Sequence, residues 1–226
     1  MNLYFLVEGK RTEPKVYPRW IKHTFSYLAE VKKIEEMTSN KFFLVAAKGG
    51  GNIPKLIEQA LTDINNHNYT VEHFFICIDA EEETYQTIHK TVQDKLTKIK
   101  QETGFNKTTT IHIIIQDCCI ETWFLGHTKM LRRNPHSERL REFINFYDVS
   151  DNDPEQMGCH VEYSKKAYFH EAYLKAMLKE RGEKTYTKTH PGIVATQEYF
   201  TALCDRYKKT KHLSSLGKLL TIWDTI

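Results

Sequence analysis

The sequence predicts an α/β protein: a mostly parallel sheet of four strands, flanked by helices and followed by a C-terminal helical extension. Three observations support this class. Four short apolar runs occur in the first half of the chain, helical patterns alternate with them, and the strand pattern fades after about residue 128. Near-continuous apolar strands that alternate with helices are typical of a parallel sheet covered on both faces.

The first two runs are each followed by a turn and a helix. Residues 3–7 form an apolar run that stops at Glu8, and a Thr-Glu-Pro sequence typical of a helix start follows soon after. Residues 41–47 form the second run, and a glycine turn at residues 49–52 leads into apolar residues at helical spacing. We therefore predict two consecutive strand–turn–helix units.

The third and fourth runs continue this alternation. Residues 73–78 form the third run, which ends at Asp79 and precedes a long, charged surface helix with one apolar face. Residues 109–115 form the fourth run, rich in β-branched residues, and a further helix opens at Glu121. The acids thus follow the strands, at the edge of the sheet where ligands bind in this class of protein.

The last hundred residues read as helices. We predict a core domain at residues 1–128 and a helical extension with basic, substrate-facing loops at residues 129–226. The polar, proline-containing stretch at residues 148–160 is predicted to be a loop. The predicted helices of the extension span roughly residues 136–147, 165–181, 194–209 and 213–224.

The composition fits one sizeable folded protein with a mild preference for anionic partners. Its 226 residues, 40% of them hydrophobic, are enough to fill an α/β core. Lys and Arg exceed Asp and Glu by 32 to 29, a formal net charge of +3, and the pI is near 8.4. Such a small excess is compatible with nucleic-acid binding without requiring it. A homo-oligomer stays open.

The five cysteines indicate a reducing, cytoplasmic setting. They lack CxxC spacing, and Cys77 and Cys118 lie in or beside apolar runs, where free thiols are commonly buried. A zinc site built from Cys118, Cys119 and a distant histidine is the alternative, but adjacent cysteines rarely chelate one ion comfortably. We expect no membrane partner, because no segment approaches the roughly 20 apolar residues that a bilayer requires.

Three acids at strand ends form the candidate site. Glu8, Asp79 and Glu121 are distant in sequence, but a parallel sheet brings the ends of its strands to one edge, so we expect them to converge. Carboxylate oxygens are the ligands that Mg²⁺ prefers, and Mn²⁺ accepts the same donors. A metal ion so held activates a water and neutralises charge on a phosphodiester, which predicts a nuclease.

Three short motifs resemble the TOPRIM domain. They are VEGKRTE at residues 7–13, the glycine turn AAKGGGN at 46–52 and IDAEEE at 78–83. TOPRIM domains occur in topoisomerases, bacterial primases, ribonuclease M5 and nucleases of the overcoming-lysogenization-defect type. The resemblance covers roughly residues 1–128 and implies a TOPRIM-like catalytic core.

The resemblance also implies metal ligands. TOPRIM domains carry a glutamate after the first strand and a DxD motif after the third, which correspond to Glu8 and to Asp79 with Glu81. Glu81 departs from the usual second aspartate. The segment DCCIETWFLG at residues 117–126 resembles the acid–aromatic segment of small TOPRIM-like proteins of the RloB type, which makes Glu121 a further ligand. The apolar residues that follow it are expected to be core.

Two regions are candidates for contacts with phosphate. Lys10 and Arg11 follow Glu8, and the turn Gly49, Gly50, Gly51 and Asn52 precedes a helix, where backbone N–H groups can bind an anion or simply form a tight turn. The GxxxxGK[ST] spacing of nucleotide-binding loops is absent, so ATP binding by this chain is not expected.

The basic tail supplies the remaining candidates. Lys188 is predicted to offset charge in the transition state and His212 to donate a proton to the leaving oxygen. Tyr186, Arg206 and Ser214 are predicted substrate contacts, although a solvated basic surface explains each residue equally well. The segments 183–192 and 206–220 resemble the tail of the same TOPRIM-like group.

Together these features predict a Mg²⁺- or Mn²⁺-dependent TOPRIM endonuclease in which Glu8 acts as base or ligand. The resemblance implies a bacterial anti-phage or abortive-infection effector that a partner ATPase sensor controls. Two alternatives stay open: a ribonuclease that processes or cleaves tRNA or rRNA, and a catalytically silent TOPRIM module that binds nucleic acid. DNA and tRNA are both possible substrates.

Overall fold

The computed structural model describes residues 1–47, 49–183 and 186–226. The chain forms two compact units. The first unit comprises residues 1–78 and 85–115, and the second comprises residues 79–84 and 116–226. The domain boundary predicted after residue 128 stays a prediction.

A five-stranded sheet confirms the α/β class. Its strands are β1 (Asn2–Val7), β2 (Ala29–Val31), β3 (Lys41–Ala46), β4 (His73–Asp79) and β5 (Thr110–Gln116), in the order β2-β3-β1-β4-β5. The pairings of β1 with β3, β1 with β4 and β2 with β3 are parallel. The four predicted strands are present, and the fifth, β2, is a three-residue strand at the edge of the sheet.

The central strand β1 shows why an apolar run in the sequence predicts a strand of this sheet. All six of its residues are buried, because it pairs on both sides and is covered on both faces. Phe5 stacks on Phe75 of β4 with ring centroids 4.5 Å apart, and Val7 pairs with Ala46 and Cys77. The pairing of β1 with both of its neighbours thus continues to Val7, the residue before Glu8.

The helices of the first unit follow its strands as predicted. They are α1 (Glu13–Thr24), α2 (Ile53–Asn66) and α3 (Tyr85–Glu102). Both α1 and α2 begin with a proline in the first turn, where the missing N–H costs no hydrogen bond. The apolar face of α2, which includes Ile57 and Leu61, is buried, and its spacing of three to four residues is the one that the sequence showed.

The second unit is helical, as predicted. Its helices are α4 (Ile120–Phe124), α5 (Glu138–Phe146), α6 (Lys166–Glu180), α7 (Gln197–Thr210) and α8 (Ser214–Trp223). The bounds of the last four differ from the prediction by one to three residues. Ser137 and Thr196 cap α5 and α7 by accepting backbone hydrogen bonds. Among the described residues, no helix is both long and apolar enough to cross a membrane.

Candidate functional site

Glu121 is a buried acid of the second unit. It lies in the first turn of α4, where the N-cap residue Cys119 and Thr122 exchange hydrogen bonds that fix the helix start. Glu121 is 1% exposed, and its Oε1 accepts a hydrogen bond of 2.8 Å from the buried hydroxyl of Tyr186. A carboxylate removed from water in this way requires charged or hydrogen-bonding partners.

Lys188 supplies the cation beside this acid. Its Nζ lies 3.6 Å from Oε1 of Glu121 and 3.5 Å from Oε2 of Glu171 on α6. Burial of Lys188 disfavours its charge, but the carboxylates of Glu121 and Glu171 outweigh this effect and raise the pKa of Lys188 above its ordinary value. Asp79 adds to this effect, so Lys188 stays protonated near neutral pH.

Sequence reasoning predicted Glu121, Tyr186 and Lys188 but did not predict Glu171. Glu171 also pairs with Lys175 four residues along the same helix, at 2.6 Å. An i,i+4 Glu–Lys pair on a charged helix is typical of a solvated surface. The sequence therefore offered no signal that one oxygen of Glu171 faces Lys188.

Asp79 and Glu81 occupy different environments although they are two residues apart. Asp79 ends β4. Glu81 has a φ of 51°, in the left-handed region, and its N–H donates to the carbonyl of Cys118 at 2.9 Å. Its carboxylate pairs with Lys165 at 3.4 Å and is about half exposed. The carboxylate of Glu81 thus faces Lys165, and metal ligation by Glu81 stays a prediction.

The acids of the second unit fit a hard divalent cation by chemistry. Asp79, Glu121 and Glu171 offer carboxylate oxygens, the donor type that Mg²⁺ prefers, and the ammonium of Lys188 already bridges two of these acids. Asp79, Glu81 and Glu121 do not form a group whose ligand atoms all lie within 4.8 Å of one another. An ion bound here would therefore take one or two carboxylates, with water or phosphate completing its shell.

Glu8 and the glycine turn belong to the first unit. The N–H of Glu8 donates to the carbonyl of Cys77 at 3.1 Å, and its carbonyl accepts from Gly49 at 3.2 Å. Gly49 has a φ of 120°, which an L side chain rarely adopts. A short 3₁₀ turn, Gly50–Asn52, then leads into α2. These bonds define the backbone of the turn, and phosphate binding by its residues stays a prediction.

The basic candidates near Glu8 are solvent-facing. Lys10 and Arg11 are exposed, as are Gly49, Gly51 and Asn52. The N–H of Gly9 donates to Oε1 of the buried Glu13 at 2.9 Å, which fixes the turn between β1 and α1. Lys10 and Arg11 are thus presented to solvent by a well-defined turn, as a phosphate contact requires.

The other tail residues are engaged within the protein. The guanidinium of Arg206, 6% exposed, donates to three backbone carbonyls and to Nδ1 of His212 at 3.0 Å. Ser214 donates to the carboxylate of Glu155 at 3.0 Å. None of these contacts involves Glu121 or Lys188. The roles of Arg206, His212 and Ser214 in substrate contact or catalysis stay predictions.

Two buried thiols precede Glu121. Cys118 has a φ of 64°, and its thiol accepts a hydrogen bond from Cys119, which lowers the pKa of Cys118. The thiol of Cys119 is the donor, and its pKa is raised. Cys77 and Cys118 are buried and are not joined in disulfides, as expected from the sequence, and the same is true of Cys119.

Comparison with known proteins places the chain in a family. The comparison with curated proteins finds no match, and neither does the comparison with solved structures. The sequence model of the family described as "RloB-like protein" matches residues 3–195, which span nearly all of the first unit and the part of the second unit that contains Glu121 and Lys188. The chain therefore belongs to the RloB-like protein family.

Proposed function

We propose that the chain is a metal-dependent nuclease that cleaves phosphodiester bonds of nucleic acids, with Mg²⁺ or Mn²⁺ held by Asp79 and Glu121. The observation that carries this proposal is the buried carboxylate of Glu121, held by Tyr186 and paired with Lys188. Carboxylate oxygens are the donors that a hard divalent cation prefers, and Asp79 in the same unit supplies a second acid.

Each residue has a distinct task. Tyr186 fixes the orientation of Glu121 through its hydrogen bond. Glu171 holds the ammonium of Lys188, which stays protonated and therefore acts through its charge on a phosphate oxygen, not as a base. A divalent ion bound to the carboxylates would supply an activated water and neutralise charge on the phosphate.

Further residues enter the proposal from the TOPRIM resemblance alone. Glu8 is proposed as a ligand or base, and Glu81 as a ligand once its carboxylate leaves Lys165. Lys10 and Arg11 are proposed phosphate contacts. Two other assignments are proposed on the same basis: phosphate binding by the turn at residues 49–52, and proton donation by His212.

The test is cleavage by the purified full chain. Plasmid DNA, single-stranded DNA and total tRNA are incubated with and without Mg²⁺ or Mn²⁺. We expect cleavage only with metal, and a loss of at least 100-fold in Glu121→Gln and Lys188→Met, since each removes a charge from the site. Glu142→Gln, which removes a carboxylate from an exposed pair on α5, is the matched control. Metal-independent cleavage, or full activity of both site variants, would contradict the proposal.

A binding module without catalysis is the second candidate. Two ion pairs favour this alternative. The carboxylate of Glu81 pairs with Lys165, and the ammonium of Lys188 pairs with Glu121. Under this alternative the chain retards DNA or tRNA in a gel without cutting it, and Lys188→Met weakens retardation. Cleaved product in the metal-containing reactions excludes the module.

A defence role under the control of a partner ATPase extends the proposal. It rests on the TOPRIM resemblance and predicts that expression of the chain with its natural ATPase partner limits phage growth. Loss of that effect in Glu121→Gln would connect it to the proposed site. A cytoplasmic location and a homo-oligomeric state stay predictions.

A further inference from the structure

The second unit holds a cluster of soft metal-ligating side chains. One potential ligand atom from each of Cys118, Cys119 and His170 lies within 4.8 Å of the other two, and all three residues are buried. His170 is on α6 and is 1% exposed, and the cysteines precede α4. We propose that Cys118, Cys119 and His170 bind one zinc ion.

The backbone at Cys118 makes the adjacent thiols converge. In an extended chain, consecutive side chains point to opposite faces, which is why neighbouring cysteines rarely share an ion. Here Cys118 has a φ of 64°, in the left-handed region, and Cys119 follows in an extended conformation with φ −157°. A left-handed residue with a side chain is strained and uncommon. It breaks the alternation and brings both thiols to one side.

His170 is oriented for metal ligation. Its Nε2 lies 3.3 Å from the carbonyl of Met157, which can only accept, so the hydrogen is assigned to Nε2 and the lone pair to Nδ1. Nδ1 accepts from the hydroxyl of Thr122 at 2.7 Å. A ring N–H donated to a backbone carbonyl is the arrangement that fixes the tautomer of metal-binding histidines.

The hydroxyl of Thr122 can keep a hydrogen-bond partner when the cluster binds an ion. Its Oγ1 lies 3.6 Å from the thiol of Cys119 as well as 2.7 Å from His170. When a metal takes Nδ1 of His170, the hydroxyl can rotate and donate to the sulfur of Cys119. A thiolate that accepts such a hydrogen bond is a common supporting contact in metal sites.

The donor set and the burial together select zinc. Two sulfurs and one imidazole are the donors of known zinc sites, with a fourth position left for water or another ligand. Two thiolates balance the charge of Zn²⁺, so the buried site is neutral, whereas a monovalent copper ion would leave a buried negative charge. Mg²⁺ prefers oxygen and is not expected to bind here.

The ion would connect the two helices that carry the acids beside Lys188. Cys119 is the N-cap of α4, two residues before Glu121, and His170 immediately precedes Glu171 on α6. A bond from each helix to one ion would hold these carboxylates in place. The zinc proposal does not depend on nuclease activity, and its test requires no substrate.

The test is the metal content of the full chain, purified without a histidine tag in the presence of zinc and desalted. We expect about one zinc per chain by elemental mass spectrometry. Cys118→Ser, Cys119→Ser and His170→Gln should each lower the zinc at least fivefold. Cys204→Ser, which removes a partly buried thiol elsewhere in the second unit, should leave it unchanged.

A spectroscopic measurement keeps the test valid if a variant folds poorly. Wild-type chain stripped with a chelator is titrated with Co²⁺, which should give the thiolate-to-cobalt absorption of a sulfur-bound ion, and zinc should abolish this band. Absence of both zinc and the cobalt band in wild type would overturn the proposal. So would copper or iron in place of zinc, zinc retained by both cysteine variants, or a disulfide between Cys118 and Cys119.

Discussion

The ion pair between Glu121 and Lys188 makes a quantitative prediction about stability. Lys188→Met leaves the Glu121 carboxylate buried, with the Tyr186 hydroxyl as its remaining close partner among the residues that the structure describes. Removing one member of a fully buried pair costs about 3–5 kcal/mol. The side chain of Lys188 is 40% exposed, so solvent screening reduces the expected loss to about 1–2 kcal/mol. For a chain of this size the melting temperature should fall by about 2–8 °C.

A double-mutant cycle separates the interaction energy of Glu121 with Lys188 from the other effects of each substitution on stability. Glu121→Gln keeps an oxygen that accepts from Tyr186 but removes the charge. Urea unfolding of wild type, both single variants and the double variant should give a coupling energy of about 1 kcal/mol. Lys98→Met, which breaks an exposed i,i+4 pair with Glu102 on α3, is the control and should cost at most about 0.5 kcal/mol. A coupling energy below about 0.3 kcal/mol would show that the two charges do not interact.

Three further predictions concern the framework. Ser215→Ala removes a buried acceptor of the Trp123 indole N–H and should cost about 1–3 kcal/mol in urea unfolding, whereas a neutral result would mean that water replaces the hydroxyl. Burial lowers the pKa of His112 to about 4, so the unfolded state takes up a proton between pH 6.5 and 4 that the folded state does not. The free energy of unfolding should therefore be highest above pH 6.5 and fall by about 1 kcal/mol, after solvent screening, as the pH drops to 4. His112→Gln should flatten this dependence of the unfolding free energy on pH. An unchanged dependence in this variant would exclude His112 as its source. Gly126→Ala would place a Cβ 2.4 Å from Leu213 and 2.8 Å from a backbone carbonyl. This overpacking should lower the free energy of unfolding by about 1–3 kcal/mol. A melting temperature equal to that of wild type would contradict this packing.

The sequence predicted the fold well wherever apolar patterning was strong. The runs at β1, β3, β4 and β5 were visible because buried parallel strands are apolar on both faces. The missed strand, β2, has only three residues, with Glu30 at its centre. A short edge strand is paired on one side only and needs no apolar run, so its pattern does not differ from that of a loop.

The site was predictable only in part, for a different reason. Motif order indicated Asp79, Glu121 and Lys188, but not the backbone conformation of Glu81, whose left-handed turn and pairing with Lys165 depend on the second unit. The role of Glu171 could not be predicted, because its i,i+4 spacing from Lys175 is explained by the ion pair between these two residues. Local patterns report which residues occur at strand ends, whereas tertiary packing decides which partners they meet.

The helix α4 shows why packing is decisive at Glu121. A helix of five residues is far below the length that is stable alone, about 12–15 residues, so its position depends on tertiary contacts. The indole of Trp123 donates to Ser215 on α8, the hydroxyl of Tyr199 on α7 donates to the carbonyl of Phe124, and Thr122 bonds to His170 on α6. Three helices from distant parts of the sequence therefore set the position of one carboxylate. A variant such as Ser215→Ala should consequently weaken any metal-dependent activity along with stability, although it touches no proposed ligand.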